Sequence, residues 1–150
     1  MRLRFIWVGK TRNEHLRALQ DDYLDRLKHF ARCEIVEIRD AHDRDPSESE
    51  GKRILDKLNQ TSFACLLDVG GQSLSSVKMA EKVVSWQSGT RKDISFIIGG
   101  ASGVSAAVAA RADFRLSLSF LTFTHEMARV LIVEQVYRAF TILRGFPYQK

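Results

Sequence analysis

His125 and Arg129 stand four residues apart in a stretch whose spacing predicts a helix, so both project to one side of its amino end. An imidazole there can move a proton near neutral pH, and a guanidinium can stabilise an oxyanion as it develops. The same spacing is equally common on solvated helix surfaces, where such a pair does no chemistry. Gly99-Gly100-Ala101-Ser102-Gly103 is the second suggestive segment. Glycine carries no Cβ and tolerates positive φ, so this backbone can approach a ligand closely or simply turn from strand to helix. It lacks the spaced Rossmann pattern and the lysine of a P-loop, which disfavours a phosphate-rich nucleotide and leaves open an adenosine-containing ligand held by backbone hydrogen bonds. Glu134 and Arg138, acid four residues before base, read as a structural pair worth roughly 0.2 to 0.5 kcal/mol. Cys33 and Cys65 have no Cys or His at metal-ligand spacing, and His15, His29 and His42 are scattered, so no metal site is expected. No Gly-x-Ser-x-Gly elbow occurs.

These residues need a frame, and the apolar pattern supplies one. Leu3 to Val8 is a short apolar run stopped by Gly9, followed by Leu16, Leu19, Tyr23, Leu27 and Phe30 at helical spacing behind a capping Asn13. Cys33 to Ile38 reads as a second strand. The polar stretch from Asp40 to Gly51 reads as a loop or the fraying start of a helix, with Ser47 as its cap. Phe63 to Asp68 is a third strand, turned by Val69-Gly70-Gly71-Gln72 into a helix capped by Ser73 or Ser75 and running to about Trp86. Ile94 to Ile98 repeats the unit, and Ser105 opens a short helix to Arg111. Phe114 to Phe120 alternates apolar and polar residues as a strand does, Leu121 to Thr124 is a loop, and a long helix from near His125 ends at Gly145 before Pro147. Strands alternating with helices predict an α/β domain over residues 1–150, its largely parallel sheet covered by helices on both faces. Ligands of such sheets sit beyond the carboxyl ends of the strands, here residues 68–71, 99–103 and 119–124.

The chain's 150 residues fit a single core, and 45% hydrophobic with 27% charged residues, 9 Gly and 2 Pro exclude disordered and fibrous classes. Lys and Arg number 23 against 18 Asp and Glu, a net charge of +5 that suits a polyanionic partner without requiring one. Both cysteines lie in strand-like runs and read as reduced core thiols. The first apolar run is too short for a signal peptide or membrane span, so a soluble cytoplasmic protein is expected.

Several blocks together carry a resemblance: Leu67-Asp68-Val69-Gly70-Gly71 with Ser75-Ser76, Ile98-Gly99-Gly100-Ala101-Ser102-Gly103, and Leu116-Ser117-Leu118-Ser119 leading to His125. Arg129-Val130-Leu131, Glu134-Gln135, Tyr137-Arg138-Ala139 and Pro147-Tyr148 complete it, with Gly9 and Lys52-Arg53-Ile54-Leu55 extending it over nearly the whole chain. The sequence resembles the RlmH family, the large-subunit ribosomal RNA pseudouridine N3-methyltransferases of the SPOUT superfamily. That resemblance implies a trefoil-knotted α/β fold, a homodimer, and bent S-adenosyl-L-methionine in the knot loops. It also implies methyl transfer to N3 of a pseudouridine in 23S ribosomal RNA within the ribosome. Carried over by position, the cofactor would touch Leu67, Gly100, Ser119, Phe120, Leu121, Thr122, Phe123 and Thr124, and the catalytic group would comprise His125, Arg129 and Tyr148.

The chemistry so implied is in-line positioning of the methyl donor, removal of the N3 proton, and stabilisation of charge on the flanking carbonyls. Leu67, Leu121 and Phe123 beside Gly100 would give adenine an apolar slot, Arg129 would meet the charge, and His125 would orient the base or move the proton. An apolar surface including part of the last helix would join the dimer. Two departures from the family pattern stand out. Thr124 and Glu126 flank His125 where many members have prolines, which places an acid near the expected RNA, and Gln149 follows Tyr148 where a histidine is usual. Glutamine is no general base, so either such a role is dispensable here or another group such as His125 takes it. The alternative functions are a non-catalytic RNA-binding or cofactor-sensing module of this fold, and a SPOUT methyltransferase acting on tRNA.

Overall fold

The computed structural model describes residues 1–87 and 89–148. Five strands, β1 (Arg2–Val8), β2 (Arg32–Ile38), β3 (Phe63–Ser73), β4 (Asp93–Ile98) and β5 (Phe114–Ser117), form one sheet in the order β2-β1-β4-β3-β5. Every paired neighbour runs parallel, so all carboxyl ends emerge at one edge. Four helices connect them, α1 (Glu14–Leu27), α2 (Pro46–Lys57), α3 (Ser76–Ser85) and α4 (Ala106–Arg111), and α5 (His125–Leu143) follows β5.

Side chains alternate along each strand, and that period divides the core in two. Leu3, Phe5 and Trp7 of β1 join Cys65, Ile94, Phe96 and Ile98 on the face covered by α1, α3 and α5. Ile6 and Val8 join Ala64, Leu66 and Ile97 on the opposite face, under Ile54 of α2 and Val108 of α4. The expected α/β sandwich is therefore present, with the heavier layer on the α5 side. Within that layer α5 packs against both α1 and α3. Its broad apolar side is thus occupied within the chain and gives no independent sign of a subunit interface. Burial pushes the Cys33 thiol up to about 11 and raises Cys65 further, as core thiols require.

Caps fall as expected at Asn13, Ser75 and Ser105, whose side-chain oxygens accept from the first helical amides. The second helix differs from expectation. Asp45, and not Ser47, caps it, because Pro46 occupies the first helical position where its missing N–H costs nothing, and the Asp45 carboxylate accepts from both Glu48 N–H and the Ser47 hydroxyl. The expected turn at Val69–Gln72 is instead an excursion within β3: Leu67 and Gln72 both pair with Leu116, and residues 68–71 stand out between them. Gly71 permits the excursion, since a Cβ there would lie 2.6 Å from the Arg115 carbonyl. β5 is also shorter than its alternation predicts. Ser117 Oγ donates to the Ser119 carbonyl and Ser119 Oγ accepts from Leu121 N–H, so local bonds end the strand before Phe120.

Asp113 ties β5 to β3, accepting from Ala64 N–H at 2.8 Å while its own N–H donates to the Ala64 carbonyl. Burial works to raise the Asp113 carboxyl, but this bond and the Arg111 and Arg91 guanidiniums outweigh it and hold the pKa below the usual carboxylate range. Asp93, bonded by Arg2 and Asn59 against the same desolvation, is held low likewise. A carboxyl depressed in the folded state stabilises the protein above its unfolded pKa, about 4, and loses that contribution as pH falls through the folded value. Urea unfolding is therefore expected to show stability falling with pH below about 4, more shallowly in Asp113→Ala. At neutral pH that variant should be about 1–3 kcal/mol less stable, the usual cost of leaving a buried donor unmade.

Candidate active site

The exposed carboxyl edge of the sheet carries three contiguous hollows, and the one on the β3 and β5 side has the character of a cofactor slot. It encloses about 410 Å³, within the roughly 300–1,000 Å³ typical of ligand pockets. One wall is Leu67, Asp68 and Val69 from the β3 excursion, a second is Gly99, Gly100, Gly103 and Val104, and the third is Leu116 and Leu118 leading into Ser119, Leu121, Thr122 and Phe123. All three loops named from the sequence therefore meet in one place. Phe120 and Thr124 do not line the slot. Phe120 points to solvent at 87% exposure, and Thr124 caps α5 by accepting from Met127 N–H.

The glycine segment closes on itself: Gly103 N–H donates to the Gly100 carbonyl at 3.0 Å, with Gly103 at φ 79°, a conformation side chains rarely adopt. Gly100 is constrained differently. A Cβ there would lie 2.9 and 3.0 Å from the two carboxylate oxygens of Glu50 and 3.3 Å from Val8, so a side chain at this position would displace the Glu50 carboxylate. An apolar slot walled by bare backbone amides and carbonyls fits an adenosine-bearing ligand such as S-adenosyl-L-methionine, and gives a triphosphate no cation.

His125 opens α5 on the rim of this slot, exposed to solvent. Arg129 does not join it, contrary to the expectation from spacing. Its side chain turns inward and is only 3% exposed, with Nη2 donating to the Val8 carbonyl at 2.6 Å, Nη1 to Thr11 Oγ1 at 3.0 Å, and the guanidinium 5.1 Å from the Trp7 ring. Burial lowers its pKa against the raising influence of Glu126, Glu37 and Asp40. Thr11 passes the contact on by donating to Gln20 of α1. Glu126, expected as a loose acid beside RNA, is also committed: its carboxylate accepts from the Arg12 and Asn13 amides. Neither pairing shows in the sequence, because contacts to the distant residues 8–13 leave no local pattern.

Tyr148 lies elsewhere in the chain. Its hydroxyl donates to Glu134 at 2.9 Å, its ring packs edge-on against Tyr137, and Arg138 covers its face. Glu134 is nine residues along α5 from His125, about 14 Å at 1.5 Å per residue. Burial and the bonds to Tyr23 and Glu134 raise its pKa. The expected Glu134–Arg138 pair is present at 2.7 Å. Gln149 lies outside the described residues.

A larger, shallower cleft of about 990 Å³ runs over the ends of β1 and β2, where Lys10, Arg12, Arg17, Arg39 and Arg53 face Glu37, Asp40 and Asp43. Its lining is densely charged, whereas Asp68 is the one Lys, Arg, Asp or Glu that lines the slot among the described residues. Among the described residues, no group of three His, Cys, Asp or Glu could hold a metal ion, and no helix is long and apolar enough to cross a membrane.

A parallel sheet with a glycine-walled, largely apolar slot at its carboxyl edge places this chain among the α/β proteins whose ligand sites lie beyond the ends of their strands. Residues 1–149 match the family described as "Predicted SPOUT methyltransferase", and the chain belongs to that family. Among its relatives, the proteins named ribosomal RNA large subunit methyltransferase H from Desulfotalea psychrophila and Gloeobacter violaceus are 37% and 42% identical. The alignments cover 100% of both chains in the first case, and 99% of this chain and 98% of the relative in the second. A solved structure of a probable methylase family protein from Haemophilus influenzae Rd KW20 shares the fold with TM-score 0.58 at 13% identity, over 99% of this chain and 70% of that one.

Because Arg129 joins α5 to the end of β1, Arg129→Ala is expected to cost about 2–4 kcal/mol, the sum of bonds from a charged donor and the buried acceptors left behind. Hydrogen exchange should show faster amides at 9–13, with Arg129→Lys recovering part of the protection. An unchanged melting temperature in Arg129→Ala would contradict this assignment.

Proposed function

We propose that this protein transfers the methyl group of S-adenosyl-L-methionine to N3 of a pseudouridine in the 23S ribosomal RNA of the assembled ribosome. End-to-end similarity to the large-subunit methyltransferases carries the reading, and the slot supports it. Bound there, the cofactor supplies a methyl group already activated by its sulfonium. Leu67, Leu121 and Phe123 hold the adenine against the glycine backbone, excluding water from one side. His125, on the rim, orients the target base or carries away the N3 proton. Arg129 acts as a positioning residue, through Val8 and Thr11, on the loop that forms one wall of the basic cleft. Lys10, Arg12, Arg17 and Arg39 line that cleft and suit RNA phosphates, so methylation of ribosomes should weaken with rising salt.

The reading extends to a homodimer working in the cytoplasm and to the family's trefoil knot, with the chain after β5 threaded past the 98–104 segment. What favours the dimer is the exposed apolar ring of Phe120, 87% open to solvent beside the slot. Tyr148, remote from His125 within one chain, would serve a reacting base only in the site of a second copy.

Labelled methyl groups offered with 70S ribosomes, free subunits, deproteinised ribosomal RNA and tRNA are expected to enter 70S ribosomes as N3-methylpseudouridine. Incorporation into tRNA instead, or into no RNA at all, would overturn the reading in favour of a tRNA enzyme or a non-catalytic module. Leu121→Asp changes an exposed position and should leave stability within about 0.5 kcal/mol. It should nevertheless weaken cofactor binding at least tenfold in calorimetry, by placing a charge at the adenine. Light scattering at micromolar concentration should give twice the 17.1 kDa chain mass.

A further inference from the structure

Behind the glycine segment lies a third hollow of about 480 Å³, sharing Gly100 and His125 with the adenine slot. Its lining is of another kind. Asp40, Asp43 and Glu50 bring three carboxyls into it, His42 and His125 are its basic side chains, and no Lys or Arg lines it. Glu50 is the unusual member. It is only 5% exposed, and its Oε2 is buried without a hydrogen-bond partner among the described residues. Arg53, one turn along α2, does not supply one, since its guanidinium donates to the backbone carbonyls of Arg39 and Asp40. Burial and the Asp40 charge push the Glu50 carboxyl up, with Arg53 and His42 opposing. A buried carboxylate left this way is costly, and a bound cationic donor would relieve the cost.

The position of the carboxylate identifies the donor. Its two oxygens stand where a side chain on Gly100 would otherwise be, so Glu50 reaches the same backbone that walls the adenine slot, from the other side. A ligand passing from slot to acidic hollow goes by Gly100 and His125. It must be apolar and aromatic at one end and cationic at the other. A phosphate, which brings no ammonium group to offset its charge, is disfavoured by the three carboxyls. We propose that Glu50 receives the α-ammonium group of S-adenosyl-L-methionine, whose adenine occupies the slot across Gly100. This rests on the cofactor reading above and adds to it a residue that holds the amino-acid tail, with Gly100 bare so that the carboxylate can reach it.

Calorimetric titration of the full chain tests this with two thioether ligands, S-adenosylhomocysteine and its des-amino analogue, which differ only in the ammonium group. The wild-type protein should bind the des-amino compound about 10- to 100-fold more weakly, as expected for one hydrogen bond to a charged group. In Glu50→Gln, S-adenosylhomocysteine should weaken by a similar factor while the des-amino compound changes less than about threefold, so that the two converge. Equal wild-type affinities overturn the proposal without needing any variant to fold. Equal weakening of both ligands in Glu50→Gln also overturns it, and would mean the carboxylate only shapes the glycine segment. So would unchanged cofactor affinities with weakened ribosome binding, which would assign Glu50 to a base edge of the RNA. Binding of neither ligand by the wild type would remove the cofactor reading itself.

Discussion

One buried contact determines how the site is put together: the guanidinium of Arg129 bonded to the Val8 carbonyl at the end of β1. A strand's last carbonyl in an interior position needs a donor, and Val8 finds it on a helix 121 residues later. The bond fixes the rotation and depth of the amino end of α5. It thereby sets the level at which His125 emerges and the direction from which residues 118–124 arrive. The guanidinium also lies over Trp7 and bonds Thr11, which in turn bonds Gln20, so strand, loop and two helices share one anchor. A cation this deep survives because hydrogen bonds and an aromatic face replace part of its hydration.

Around that anchor the parallel sheet distributes three chemistries along one edge. Parallel pairing places every carboxyl end together, and the strand order then decides which loops are neighbours. β4 lies between β1 and β3, so its glycine segment separates an apolar slot on the β3 and β5 side from polar hollows on the β1 and β2 side. The acidic hollow and the basic cleft are distinguished mainly by α2. Its Glu50 faces inward toward Gly100, while Arg53 holds the backbone of 39 and 40. An apolar slot, an acidic hollow and a basic cleft thus occupy separate ground along one edge.

The local signals were legible in the sequence and the distant pairings were not. Asn13, Ser75 and Ser105 cap because a short polar side chain before an apolar period has few other roles, and continuous apolar runs announced buried parallel strands. Leu67, Gly100, Ser119, Leu121, Thr122 and Phe123 were placed together by resemblance, and they do share one slot. Phe120 misled because its alternation with Ser119 continued the pattern of β5 beyond the point where serine–backbone bonds end the strand. Arg129 misled for a deeper reason. Spacing of four fixes where a side chain leaves a helix, not whether a long arginine then folds inward toward a carbonyl on another element. Glu50 had no local signal at all, since its meaning comes from Gly100, fifty residues later.

The acid at Glu126 shows how such pairings change the reading of charge. A carboxylate beside an RNA track would ordinarily repel phosphates. Here one of its oxygens, Oε1, accepts from two backbone N–H groups, of Arg12 and Asn13, in the loop that also presents Lys10 and Arg12. Its position in the first turn of α5 is electrostatically favourable as well, since the amino end of a helix carries partial positive charge. The proline expected on that side of His125 could supply rigidity to α5 but accept nothing from the loop. Glu126 exchanges that local stiffness for a cross-link between α5 and the β1–α1 loop. With Arg129 holding the same loop one turn later, the basic side chains at its tip are carried on backbone fixed at two points, which lowers the conformational entropy to be lost when they meet a rigid polyanion.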